Sequence, residues 1–227
     1  MSDTAPKHYT ELLGKIAIIL FFAATATLKS FALIGLIANW STADLTTRWT
    51  YLAAHLCTLA FMTLVIATTI VRLRPMRGSE GFEPRLSALA GTLLGLTLGL
   101  LPPVQVSPAV TLFAVALSAV GGGLSAYVLS WLGRSFSIMP QARKLVTRGP
   151  YAIVRHPLYC TEELMTLGVM LLVLSPLAVV IVFAHWAVQM RRMFNEEKVL
   201  SAEFAEYAAY AARTPRFIPR LILPKTP

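Results

Sequence analysis

The chain has 227 residues, of which 56% are hydrophobic and only 14% are charged, and its mean hydropathy is +0.65. Soluble domains carry about 25% charged residues, so this composition excludes soluble globular, disordered and nucleic-acid-binding proteins. The net charge of +9 comes from basic residues that lie between long apolar runs, which is typical of an integral membrane protein. Cys57 and Cys160 match no disulfide framework and no metal-ligand spacing, so we expect no metal site.

Apolar stretches of membrane-spanning length follow one another along the chain. They cover residues 12–38, 50–71, 86–101, 109–132 and 164–190. The last stretch is too long for one upright span and contains Ser175-Pro176, so we interpret it as two helices in a hairpin that turns at Pro176. One long kinked helix is the alternative. The sequence therefore predicts a single all-α membrane domain, 1–227, with about six transmembrane helices, five being possible.

The basic residues predict the orientation of this domain. With six spans and an internal N-terminus, the internal segments together with Lys15 hold eighteen of the twenty Lys and Arg residues. Arg48 alone lies in an external segment, and Lys29 lies within the first span. By the positive-inside rule, both termini face the cytoplasm of a multi-pass protein.

The first large internal segment, 133–163, has the composition of a binding loop. Gly149-Pro150 marks a turn, and His156 precedes Pro157, which favours an extended backbone before the next helix. A helix N-terminus beside Arg155 and His156 favours an anionic ligand group. The alternative is that both residues only anchor the loop at the membrane surface.

The second large internal segment, 191–227, begins where the last span ends. Arg192 and Glu196 share one helix face, either as functional groups or as an ordinary surface pair. Leu200, Phe204 and Tyr207 recur at helical spacing, which predicts a C-terminal amphipathic helix that packs on the protein or lies on the membrane.

These two segments resemble one known family. The run Leu-Val-Thr-x-Gly-x-Tyr-x-x-x-Arg-His-Pro-x-Tyr at 145–159 is similar to a motif of the isoprenylcysteine carboxyl methyltransferases. The later run Arg-x-x-x-Glu-Glu-x-x-Leu, continued by Phe, Tyr and Pro residues at 192–219, resembles the end of the same family, and more loosely the phospholipid methyltransferases. The resemblance covers about the last 95 residues. It implies a methyltransferase core at 133–227 and an acceptor or lipid side formed by four spans at 1–132.

The resemblance implies S-adenosylmethionine as the cofactor, held on the cytoplasmic side beneath a membrane-embedded tunnel for a lipid-like or prenylated acceptor. Glu196 would meet the cofactor's α-amino group, and Arg192 would face the acceptor, so both are the expected catalytic residues. The full implied cofactor shell is Gln141, Arg143, Lys144, Leu145, Val146, Tyr151, His156, Pro157, Leu158, Tyr159 and Glu196.

The acceptor decides how much acid–base chemistry is needed. A prenylcysteine carboxylate is ionised at neutral pH and attacks directly once it is positioned, with Arg192 as its binding residue. A phospholipid amine needs a base, for which Glu162, Glu163 and Glu197 are candidates. A small thiol is a third possible acceptor. The alternative to an enzyme is a transporter or a non-catalytic membrane protein.

Several other ionisable residues lie in the predicted spans, where they are unusual. We expect a structural or headgroup-contact role for Lys29, and hydrogen bonds between helices for His55 and His185.

Overall fold

The computed structural model describes residues 8–38 and 45–219 and is almost entirely helical. Its helices are α1 (His8–Ala38), α2 (Leu45–Val71), α3 (Glu83–Thr97), α4 (Pro108–Leu132), α5 (Pro150–Ile153), α6 (Pro157–Leu172), α7 (Pro176–Glu203) and α8 (Tyr207–Arg213). Two short strands, β1 (Arg77–Gly78) and β2 (Gln141–Ala142), pair antiparallel. Helices α4 to α7 all begin at proline, which lacks the N–H that the first turn leaves unbonded.

The prediction of an all-α membrane protein is confirmed. Within the described ranges, four helices are long and apolar enough to cross a bilayer: Glu11–Ala38, Arg48–Val71, Pro108–Ser135 and Pro176–Glu203. Helices α3 and α6 have only 15 and 16 residues, so six spans stays a prediction. The termini, whose cytoplasmic orientation the charges predict, lie outside the described residues.

The predicted break at Ser175-Pro176 is present. Helix α6 ends at Leu172, and the Ser175 hydroxyl accepts a hydrogen bond from the Ala178 N–H at 3.2 Å to cap α7. The alternative of one long kinked helix is therefore wrong. The two helices diverge from this turn: α6 packs chiefly on α4 and α7 on α3, which leaves space between them.

Small residues bring α4 and α6 into close contact. A Cβ at Gly121 would lie 2.5 Å from the backbone nitrogen of Met165, and one at Gly168 would lie 2.2 Å from Oγ of Ser118. The Ser125 hydroxyl donates to Thr161 Oγ1 at 2.9 Å across the same interface. Small residues and buried hydroxyl pairs hold helices together in lipid, where apolar surface gives little driving force.

Polar contacts join α3 to α7. Arg191 Nε donates to Glu83 Oε1 at 2.8 Å, and Asn195 Nδ2 donates to Ser87 Oγ at 3.1 Å. Gly91 makes room for the Gln189 side chain, since a Cβ there would lie 2.8 Å from Oε1.

The C-terminal helical region differs from the continuous amphipathic helix expected from Leu200, Phe204 and Tyr207. Helix α7 ends at Glu203, the backbone of the next residue, Phe204, is extended, and Tyr207 begins the separate helix α8. This turn allows Tyr207 and Tyr210 to be buried beside the loop that contains Tyr151. Burial of the two rings gives a physical reason for the division.

Candidate functional site

A large cavity of about 310 Å³ lies among helices α1, α2, α3, α4, α6 and α7. At roughly 10–15 Å³ per water-sized atom, it has room for about 20 to 30 such atoms. Its walls are mainly apolar, including Phe22, Phe61, Met62, Val65, Val115, Val169 and Leu172. Its charged and polar lining residues include one group with Arg192, Gln189 and Glu162 and another with Lys29, Tyr51 and His55. Other polar side chains also line the cavity, namely Thr58, Thr92, Ser118, Thr166 and His185.

A second, smaller cavity of about 50 Å³ lies at the basic end of the bundle, next to β2 and α5. It is lined by Leu132, Ser135, Ser137, Met139, Gln141, Arg143, Lys144, Leu145, Val146, Tyr151, Arg155, His156, Glu196, Leu200, Tyr207 and Tyr210. Eight of the residues expected in the cofactor shell thus border this one cavity.

The segment 135–139 forms a partition between the two cavities. Ser135, Ser137 and Met139 line the smaller cavity, whereas Phe136 and Ile138 line the larger one. Alternate residues of this segment line opposite cavities, so one short segment supplies a wall to each.

Arg192 and Glu196 meet different cavities although one turn of α7 separates them. Arg192 lines the larger cavity, and Glu196 lines the smaller one. The rise between them along the helix axis is about 6 Å. Arg192 Nη2 donates to the Ile138 carbonyl oxygen at 3.1 Å, which attaches the guanidinium to the partition.

Tyr159 connects these two side chains and lines neither cavity. Its hydroxyl donates to Glu196 Oε2 at 3.0 Å, and the Arg192 guanidinium carbon lies 5.4 Å from its ring centroid. Of the other residues expected in the cofactor shell, Pro157 begins α6 and Leu158 packs into the apolar core. Pro157, Leu158 and Tyr159 line neither cavity, so a direct contact of these three residues with a cofactor stays a prediction.

Buried polar atoms without partners face the smaller cavity. Arg143 is 4% exposed, and neither its Nε nor its Nη1 has a hydrogen-bond partner among the described residues. The Tyr207 hydroxyl is also buried and unbonded. Such groups are costly unless a ligand bonds them. Donors from Arg143 beside the Glu196 carboxylate fit the carboxylate and the ammonium group of S-adenosylmethionine.

Glu11 and Arg72 support Arg143, and the sequence analysis did not identify either residue. Glu11 Oε1 lies 2.8 Å from Nη2 of Arg143 and 2.8 Å from Nη2 of Arg72. Gln141 accepts from the same Arg143 nitrogen at 2.7 Å. Glu11 is more than 60 residues distant from each arginine in sequence, so no local spacing could reveal the contacts.

Glu197 lines neither cavity and contacts three basic residues. Its carboxylate lies 2.9 Å from His156 Nε2, 3.1 Å from Arg155 Nη2 and 2.9 Å from Arg216 Nη2. The Arg155 N–H also donates to the Pro215 carbonyl at 2.8 Å. Glu197 therefore fastens the Arg155-His156 loop to the C-terminal segment. With its oxygens occupied by three partners, it is a poor candidate for a base.

Tyr210 packs against α5, the short helix that contains Tyr151. Its hydroxyl donates to the Tyr151 carbonyl at 2.7 Å. Burial raises the pKa of Tyr210 to about 12 and raises that of Tyr151 well above its ordinary value. Both rings are therefore neutral at physiological pH.

The two neighbouring acids of α6 have different environments. Glu162 lines the larger cavity with Gln189 and Arg192. Glu163 lies outside the cavity lining, where it accepts from the Trp186 indole and sits 3.1 Å from His185 Nε2. Across residues 8–38 and 45–219, no three His, Cys, Asp or Glu side chains are close enough to hold a metal ion.

One family model and several curated relatives match this chain. The model of the phospholipid methyltransferase family matches residues 109–207. A cobalt-zinc-cadmium resistance protein of Cupriavidus metallidurans is 42% identical over 84 residues, which cover 35% of this chain and 37% of the relative. A nickel-cobalt-cadmium resistance protein of Alcaligenes xylosoxydans xylosoxydans is 37% identical over 84 residues, covering 37% and 39%.

A protein-S-isoprenylcysteine O-methyltransferase of Arabidopsis thaliana is 30% identical over 114 residues, covering 47% of this chain and 58% of the relative. The chain thus spans between about a third and three fifths of the curated relatives it matches. The region matched by the family model includes the partition and both residues of α7 that face the cavities. These matches support the expected resemblance of this chain to membrane methyltransferases of the phospholipid and isoprenylcysteine carboxyl types.

Proposed function

We propose that this protein transfers a methyl group from S-adenosylmethionine, held at the smaller cavity, to a lipid-like acceptor held in the larger cavity. The observation that carries the proposal is the placement of Arg192 and Glu196, one turn apart on α7, on opposite sides of the partition 135–139. A donor and an acceptor in the two cavities would be adjacent and would need only to be positioned in line.

When bound, S-adenosylmethionine supplies an activated methyl group on a sulfonium centre. Glu196 accepts hydrogen bonds from the ammonium group of its amino-acid part, and Arg143, oriented by Glu11, donates to its carboxylate. The smaller cavity has room for about four water molecules. S-adenosylmethionine is larger than this, so the proposal requires the smaller cavity to widen on binding.

The leading acceptor is a carboxylate on a prenylcysteine or a similar lipid. Arg192 is buried and lines the larger cavity, and Gln189 and the Ile138 carbonyl fix its orientation. A fixed guanidinium binds a carboxylate in two parallel hydrogen bonds and holds one oxygen towards the methyl donor. The carboxylate is already ionised, so no base is required.

The second candidate acceptor is a phospholipid amine, and Glu162 favours it. Of the three acids considered as a base, Glu197 is in contact with Arg155, His156 and Arg216, and Glu163 is in contact with Trp186 and His185. Glu162 alone of the three lines the larger cavity. There it can accept the proton that an ammonium group must lose before it attacks a methyl group.

Calorimetric titration of S-adenosylmethionine into the protein in nanodiscs tests the cofactor site. We expect micromolar binding to the wild type and loss of binding in Glu196→Ala. Glu206→Ala is the matched control, because Glu206 is exposed and lines neither cavity. Absence of binding to well-folded wild-type protein would refute the proposal.

A second experiment identifies the acceptor class. Protein is supplied with labelled S-adenosylmethionine and either N-acetyl-S-farnesylcysteine or phosphatidylethanolamine. A methyl ester releases labelled methanol in alkali, whereas an N-methyl group keeps its label. Ester formation that is sensitive to Arg192→Lys supports the carboxylate. N-methylation that is lost in Glu162→Gln supports the amine.

A further inference from the structure

The larger cavity has a second polar group of residues, distant from Arg192. Lys29 on α1 and Tyr51 and His55 on α2 line it there. The Lys15 ammonium donates to the Ile70 carbonyl, which sets the antiparallel register of α1 and α2. In this register Lys29 lies at the level of residue 56, next to His55.

Helical spacing turns these side chains towards the cavity. Lys29 is exposed, and it is seven residues from Phe22, which is buried and lines the same cavity, so both lie on one face of α1. Tyr51 and His55 are likewise four residues apart on α2 and share its cavity-facing surface.

Two hydrogen-bond donors of this group have no partner among the described residues. Within the described part of the chain, the Lys29 ammonium and the Tyr51 hydroxyl make no hydrogen bond or ion pair. His55 Nδ1 lies 2.9 Å from the Tyr51 carbonyl, a bond within its own helix and not the bond between helices that we expected. With the proton on Nδ1, His55 presents Nε2 to the cavity as an acceptor.

Lys29 also lacks a compensating carboxylate in the cavity. Glu162 is the acidic side chain among the residues that line it, and Glu162 belongs to the group near Arg192. A lysine within a span costs several kcal/mol unless a partner or water offsets it. The cavity thus offers an unneutralised cation to whatever occupies it.

The two polar groups are separated along the length of the cavity. Residues of α2 from Tyr51 to Val65 line the cavity. At 1.5 Å per residue, these fourteen steps correspond to about 21 Å. An occupant that reaches both groups is therefore elongated.

We propose that the Lys29 ammonium and the Tyr51 hydroxyl form an anion-binding subsite for the far end of the acceptor. The acceptor is then a long-chain lipid that carries a second, anionic group on the order of 20 Å from the group that is methylated. This inference rests on the proposed function, in which the larger cavity holds the acceptor. Its test measures binding alone, so it gives a result whether or not methyl transfer is observed.

The test compares two ligands that differ only at the far end. Hexadecanedioic acid carries a carboxylate at each end, and hexadecanoic acid carries one. Both are titrated into the protein in nanodiscs of phosphatidylcholine, without S-adenosylmethionine. We expect the diacid to bind about tenfold more tightly to the wild type, since a charge-assisted contact is gained.

The variants assign this preference to the subsite. Lys29→Met should abolish it without changing the affinity for hexadecanoic acid, Tyr51→Phe should reduce it, and Lys29→Arg should retain it. Lys198→Met is the matched control, because it removes an exposed lysine that lines neither cavity.

Two outcomes would overturn the proposal. One is equal affinity of the wild type for the two acids. The other is a preference that persists in Lys29→Met. If nanodiscs that contain phosphatidylglycerol show binding of that lipid in a Lys29-dependent manner, while the diacid shows no preference, Lys29 binds a bilayer headgroup and the acceptor assignment is wrong.

Discussion

Arg192 Nη2 donates a hydrogen bond to the carbonyl oxygen of Ile138 at 3.1 Å. This contact fixes a buried guanidinium on α7 to the thin segment that divides the two cavities. The same segment borders the smaller cavity through Ser137 and Met139. A displacement of the partition would therefore alter both cavities together. Under the proposed function, this would link acceptor binding to cofactor binding through a few backbone atoms.

Substitution of Arg192 separates acceptor chemistry from cofactor binding. Lysine keeps the charge but loses the fork that reaches both Ile138 and Gln189. We expect Arg192→Lys to lower kcat by about a hundredfold while calorimetry gives an unchanged affinity for S-adenosylmethionine. Arg191→Lys is the control, since Arg191 is exposed and pairs with Glu83 instead. Equal losses in both variants would contradict a specific role for Arg192.

Removal of the Glu11 charge should weaken the cofactor site from a distance. Glu11→Gln leaves Arg143 and Arg72 without their shared carboxylate, so the Arg143 side chain loses its fixed orientation. We expect the affinity for S-adenosylmethionine to fall about tenfold, with no change in the KM for the acceptor. Glu80→Gln, at an exposed position, should leave both quantities unchanged. An unchanged cofactor affinity in Glu11→Gln would show that Arg143 needs no support.

Much of the helical framework was predictable from local sequence. Apolar runs at 50–71 and 109–132 correspond to α2 (Leu45–Val71) and α4 (Pro108–Leu132) within a few residues. The break at Ser175-Pro176 was predictable because proline cannot donate in a continuing helix. These features depend on interactions between near neighbours or with lipid, which a single sequence contains.

The arrangement of the site was only partly predictable. The sequence motifs indicated the residues of the smaller cavity, but the partition by 135–139 depends on how a loop passes between helices. The ion pair of Glu11 with Arg143 joins residues 132 positions apart. Contacts of this kind arise from tertiary packing, for which one sequence carries no periodic signal.

Close packing of α4 on α6 should make Gly168 intolerant of a side chain. A methyl group there would lie 2.2 Å from Ser118 Oγ and 2.5 Å from the Ala114 carbonyl oxygen. We expect Gly168→Ala to destabilise the folded protein by about 1–3 kcal/mol, measured as a lower Tm in detergent. Gly14→Ala is the control, because no atom lies within 4 Å of its added methyl group. A Tm for Gly168→Ala equal to that of the wild type would mean that the helices separate at little cost.

The buried tyrosines near the smaller cavity should make stability fall in alkali. The pKa of Tyr210 is raised to about 12 in the folded protein, whereas an unfolded tyrosine ionises near 10. Between these values the unfolded state binds fewer protons, so the free energy of unfolding decreases as the pH rises. Below about pH 10 this contribution is fully present.

Two variants distinguish ionisation from hydrogen bonding in this effect. Tyr210→Phe removes the bond to the Tyr151 carbonyl, so we expect a loss of about 1 kcal/mol at neutral pH and a weaker decline of Tm between pH 10 and 12. Tyr207→Phe removes a buried hydroxyl that has no partner in the described residues, and burial also raises the pKa of Tyr207. It should therefore leave the Tm at neutral pH unchanged or higher, and it should also reduce the alkaline decline. An alkaline decline as steep in both variants as in the wild type would show that these two rings do not control it.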